Sequence, residues 1–136
     1  MVLIANYRHF CYHYFMTIDL KHFQEKLEKE AGILEGELKS IGRRNPSNPN
    51  DWEAEEKIDE IEERPIDPDE VADRLEEYEE NSAELKQEEI QYNEVKDAMK
   101  RIAEGTYGKC SICGEEIPTA RLEANPSAKN CIAHAK

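Results

Sequence analysis

Four residues near the C-terminus have the types and spacing of a metal site: Cys110-Ser-Ile-Cys113-Gly114 and, after sixteen further residues, Cys131-Ile-Ala-His134. A Cys-x2-Cys turn holds two thiolates about 3.5 to 4 Å apart on one ion, and a second pair completes a tetrahedron suited to Zn²⁺. Gly114 permits the tight backbone that follows the first pair. Four protein ligands leave no open position, so one structural Zn²⁺ is expected and no activated water. A redox Cys-x2-Cys or a disulfide is the competing reading. Residues 105–136 are too few to bury a sufficient core without such a staple. His134 stands two residues from the C-terminus and has the weakest tether. Cys11, His9, His13 and His22 have no partner at ligand spacing and read as bystanders. With no Gly-rich phosphate loop and no Cys/His pair outside the metal pattern, an enzyme is not expected.

The elements that must carry this site are helical. Leu20, Leu27, Leu34 and Ile41 recur every seven residues, flanked by Phe23, Ala31 and Leu38. That spacing predicts a helix with one apolar stripe, capped by Thr17 or Asp19 and ended by Gly42, roughly 35 to 40 Å long. Val71, Tyr78, Leu85, Tyr92 and Met99 repeat the period, supported by Leu75, Val95 and Ile102. This second helix should be longer, roughly 55 Å. Its start reads Asp67-Pro68-Asp69-Glu70, with an acid at the cap, Pro at the first helical position and an acid three residues after the cap; Gly105 is its stop. Ser82, Glu89 and Lys96 interrupt the flanking seam. Two stripes that cannot bury themselves alone imply pairing, and the fold expected is mainly α: an antiparallel helical hairpin, or coiled coil, over residues 17–104, followed by a small zinc finger over 105–136. The link 43–66 opens on Asn45-Pro46-Ser47-Asn48-Pro49-Asn50, and within it Trp52 to Glu63 is helix-compatible, as in an acidic flap at the hairpin tip.

Charge separates the functions that fit from those that do not. The chain of 136 residues carries −13, and residues 51–104 alone hold 22 acids against 7 bases. A phosphate backbone repels such a block, so sequence-specific nucleic-acid binding is not expected. No run of 18 apolar residues exists, which excludes a membrane-spanning helix. Residues 1–16 form an aromatic leader with neither the apolar run nor the cleavage site of a signal peptide, and Met16 is a candidate natural start. A cytoplasmic setting is expected, where paired cysteines mean metal more often than disulfide.

The run Gly105-Thr-Tyr107-Gly108-Lys-Cys110-Ser-Ile-Cys113-Gly114, then Ile117-Pro118, Arg121-Leu122-Glu123-Ala124-Asn-Pro126 and Cys131-Ile-Ala-His134, resembles the DksA/TraR zinc-finger proteins. That family commonly has Cys as its last ligand, where His134 stands here. The resemblance implies RNA polymerase as partner, entered through its secondary channel by the hairpin, with a nucleotide alarmone as a candidate co-regulator. The family's tip pattern, Asp-x-x-Asp-x-Ala, falls on Asp67, Glu70 and Ala72, with Glu replacing the second Asp. The same Asp67 and Glu70 also form the signature of a capping box. An alternative function is a zinc-stapled acidic coiled-coil adaptor for another protein.

Overall fold

The computed structural model describes residues 18–55 and 67–135. Element order is α1 (Leu20–Ile41), β1 (Gly42–Asn45), β2 (Asn48–Ala54), α2 (Pro68–Glu104), α3 (Thr119–Ala124) and a closing 3-10 turn (Ile132–His134). The leader 1–16, with Cys11, His9 and His13, lies outside the described residues, as do Thr17, Ile58 and Ile61.

α1 begins where Asp19 Oδ1 accepts the backbone N–H of His22, satisfying a donor that the first turn leaves open. Its predicted stripe is buried at Phe23, Leu27, Leu34 and Leu38. These residues share one core with Leu85, Tyr92, Val95 and Ala98 of α2. α2 starts on Asp67, whose Oδ1 accepts from Asp69 N–H at 3.1 Å, with Pro68 at the first helical position. It ends at Gly105, which takes a left-handed φ of 75° that a side chain would oppose. The seam's polar interruptions are accommodated at its edge. Glu89 is buried with Lys86 Nζ 3.4 Å from its carboxylate, and Lys96 lies over the Tyr92 ring.

One expectation is overturned between the helices. The start of the link 43–66 is an antiparallel β-hairpin, β1 pairing with β2, so Trp52 to Ala54 of the helix-compatible stretch are strand and Glu55 is not helical. The cause is one buried aromatic. Trp52 joins the core at 5% exposure, and the Arg44 guanidinium covers its ring at 4.9 Å. Arg44 also donates to Glu35 of α1 at 3.1 Å and to the Pro49 carbonyl at 3.0 Å, fastening the hairpin to the helix it follows. Gly42 is required by close approach. A Cβ there would strike the Leu85 side chain and stand 2.6 Å from the Glu53 carbonyl oxygen.

The contact between Gly42 and Leu85 places the end of α1 well inside α2. At 1.5 Å per residue α1 is about 33 Å long and α2 about 55 Å, so α2 runs on past the end of its neighbour. Residues 71–80 are exposed throughout, Val71, Leu75 and Tyr78 included, although their spacing predicts burial. Phe23, near the other end of α1, touches Tyr107 just beyond α2, with ring centroids 5.7 Å apart.

Candidate metal centre

The finger is built against the C-terminal end of α2. Arg101 donates to the Ser127 carbonyl at 2.9 Å and the Ala128 carbonyl at 3.1 Å, and Tyr107 Oη donates to the Pro126 carbonyl at 2.7 Å. Ile117 and Leu122 are fully buried and supply its small core. Across the finger, Glu123 of α3 accepts from Lys26 and lies 3.0 Å from His22 Nε2, both on α1. His22 thereby links α1 to the finger and is not among the four residues whose ligand atoms cluster.

Two local turns present the ligands. In the first, Gly114 N–H donates to the Cys110 carbonyl and Cys110 N–H to the Glu115 carbonyl, so the chain folds back through a Lys109–Glu116 bridge. In the second, His134 N–H donates to the Cys131 carbonyl at 3.1 Å, which curls the 3-10 turn and brings the imidazole back over the preceding sulfur. Ser111 N–H donates to the Lys129 carbonyl and holds the two turns face to face.

The result brings Cys110, Cys113, Cys131 and His134 together with all four ligand atoms within 4.8 Å of one another. A tetrahedral Zn²⁺ with Zn–S of about 2.3 Å and Zn–N of about 2.0 Å requires S···S edges of about 3.8 Å and S···N edges of about 3.5 Å. Cys113 Sγ and Cys131 Sγ are 3.8 Å apart. His134 Nδ1 lies 3.2 Å from Cys131 Sγ and 3.8 Å from Cys110 Sγ. These edges fit one structural zinc, and they select Nδ1 as the histidine's ligating atom.

The electrostatics suit a cation. Backbone N–H groups of Cys113, Cys131 and Ile112 hold the Cys110 thiol down to about 6, which favours its thiolate. Cys113 moves the other way. The Glu115 backbone N–H favours its thiolate, but burial and the adjacent Cys110 and Cys131 sulfurs outweigh that and raise it. Crowded sulfurs that oppose one another's ionisation are the arrangement a divalent cation relieves.

The residues that the family pattern would place at a tip lie at the other end of α2. Asp67 caps the helix, Glu70 Oε1 pairs with Arg74 Nη2 at 2.9 Å, and Ala72 is exposed. Sequence reasoning missed Arg101, Tyr107 Oη and Glu123 as the residues that dock the finger. Only Tyr107 and Glu123 stood inside a quoted motif, and nothing local marks their partners.

Residues 105–133 match the prokaryotic dksA/traR C4-type zinc finger, a match that stops one residue short of His134. An uncharacterized protein of Aquifex aeolicus is 36% identical over 114 residues, which are 79% of this chain and 67% of that one. The RNA polymerase-binding transcription factor DksA of Haemophilus influenzae is 38% identical over 64 residues, 45% of this chain and 44% of its own length. The chain thus spans less than half of that relative. Among solved structures, transcription factor DksA2 from Pseudomonas aeruginosa superposes with a TM-score of 0.61 at 25% identity, covering 88% of this chain and 82% of that one.

Proposed function

Because the chain belongs to the DksA/TraR family of zinc-finger proteins, we propose that it is a transcription regulator, not an enzyme, that acts by binding bacterial RNA polymerase. α1 and α2 serve as an antiparallel coiled-coil hairpin that enters the polymerase secondary channel, and the finger of residues 105–136 closes its base. Asp67, Glu70 and Ala72 are the residues that approach the polymerase active centre. The observation that carries this reading is the unbroken α2, which starts on Asp67 and ends on the Gly105 that opens the finger. One helix therefore fixes the acidic end at a set distance from the metal centre. The pair between Glu70 and Arg74 is on the surface and worth at most about 1 kcal/mol.

Zinc's part is structural. When bound, it ties the two ligand turns together, and the protein's own contacts from Arg101, Tyr107 and Glu123 then hold the finger on the helices. The test is transcription in vitro with purified polymerase at a promoter that forms short-lived open complexes. The wild-type chain should alter output, and Asp67→Asn with Glu70→Ala should abolish the effect while leaving binding intact. Binding without any change in output, for wild type and variant alike, would instead favour the adaptor role.

A further inference from the structure

The stretch between α3 and Cys131 has no regular structure of its own, yet its backbone carbonyls from Pro126 to Asn130 are all held from outside. Pro126 accepts from Tyr107 Oη, Lys129 from Ser111 N–H and Asn130 from Arg121 Nε. Ser127 and Ala128 accept from Nη2 and Nη1 of Arg101, at 2.9 and 3.1 Å. Of these donors Arg101 alone belongs to α2. Its own carbonyl receives the N–H groups of Gly105, Thr106 and Tyr107, so one residue holds the chain both where it enters the finger and where it approaches the second ligand pair. We infer that Arg101 is a positioning residue of the metal centre: by clamping Ser127 and Ala128 to α2 it sets where Cys131 and His134 stand, and so governs how firmly the ion is kept.

The clamp lies only three residues before Cys131, too near for a shift of the strap to be absorbed ahead of the sulfur. Cys131 Sγ shares one edge of the tetrahedron with Cys113 Sγ at 3.8 Å and another with His134 Nδ1 at 3.2 Å, so its displacement disturbs both. A guanidinium suits the task because its planar fork meets two neighbouring carbonyls at once, where an ammonium is a single point. The competing role is a cation that completes the C-terminal end of α2, and Nε does lie 3.4 Å from the Asp97 carbonyl. That role needs the charge and not the fork. Groups that orient ligands from outside the coordination sphere typically change metal affinity by about 10- to 100-fold, and a residue acting through backbone falls at the lower end.

The experiment follows zinc transfer from the full-length, zinc-loaded chain to excess chromophoric chelator, with Co²⁺ absorption recorded on the same variants. Arg101→Ala should release zinc roughly tenfold faster than wild type. Arg101→Lys, which keeps the charge and one of the two bonds, should fall between them. Gly42→Ala, at the far end of α1 against Leu85 and Glu53, lowers overall stability without touching the finger and should release zinc at the wild-type rate. Release from Arg101→Ala within about twofold of wild type overturns the inference. So does Arg101→Lys matching wild type, which would leave a charge effect alone. Equal acceleration by Gly42→Ala overturns it as well, by making zinc loss a matter of global stability. If Arg101→Ala yields no folded zinc-loaded chain, Arg101→Lys set against Gly42→Ala decides by the same two criteria.

Discussion

Replacing His134 by Ala removes one corner of the ligand tetrahedron and leaves three thiolates. Structural zinc sites bind their ion with about 10–16 kcal/mol at neutral pH, so one ligand of four carries about 3 kcal/mol. That corresponds to roughly a hundredfold in affinity. The structure gives no reason for a smaller loss. Nδ1 sits at metal-sharing distance from both Cys131 and Cys110 sulfurs, and the 3-10 turn that aims it is closed by its own backbone hydrogen bond. The assay is competition for Zn²⁺ against a chromophoric chelator, run beside the Co²⁺ absorption spectrum of the same protein. His134→Ala should lose about two decades of affinity, with α1 and α2 still helical by circular dichroism. His134→Cys should bind tightly and gain thiolate-to-cobalt charge-transfer intensity, because a fourth sulfur enters the first coordination sphere. An affinity for His134→Ala within about threefold of wild type would refute the assignment, since a true ligand of four cannot be lost so lightly.

Gly42→Ala should cost about 1–3 kcal/mol, seen as a lower Tm, because its methyl meets the Leu85 side chain and the Glu53 carbonyl. Gly32→Ala, in open space within α1, should instead stabilise by about 0.5–1 kcal/mol, so a fall in Tm there would contradict the account. Tyr107→Phe removes the donor to the Pro126 carbonyl and should cost about 0.5–1.5 kcal/mol by chemical denaturation. Burial, opposed by nearby Arg101, pushes the Tyr107 hydroxyl up to about 12. The folded state therefore favours the protonated phenol, and its stabilisation is complete below the ordinary tyrosine range near 10 and is lost as pH rises through 12. Ultraviolet titration should show a late tyrosine step that Tyr107→Phe abolishes; a titration unchanged by the substitution would dispose of this reading.

How much of this was legible beforehand depends on the range of the interaction. The ligands were readable because each pair is set by a turn of three or four residues, so spacing alone encodes the geometry. The caps at Asp19, Asp67 and Gly105 were readable for the same reason. The β-hairpin was not. Its strands, Gly-Arg-Arg-Asn and Asn-Pro-Asn-Asp-Trp-Glu-Ala, hold one large apolar residue between them and show no alternation. What selects strand there is the burial of Trp52 under Arg44 against α1, a contact between segments. Of the Pro- and Asn-rich stretch that opens the link only Pro46 and Ser47 form the turn, and Asn45 and residues 48–50 were drawn into the strands by packing. The exposure of Val71, Leu75 and Tyr78 follows from the same surprise. With the chain diverted into strands at Gly42, α1 stops opposite Leu85 and the first turns of α2 stay exposed. The seven-residue period reported that these side chains form a stripe. It carried no information about whether the stripe has a mate.

An α2 uninterrupted from Pro68 to Glu104 also transmits angle. Each residue turns the helix by about 100° and advances it 1.5 Å, so the azimuth at which Asp67 faces is phased to that of the finger at the far end of some 55 Å of helix. Length could be conserved to within an ångström or two by inserting one residue, yet the acidic end's entire face would swing by more than a quarter circle. Orientation, more than reach, is the quantity this helix holds constant.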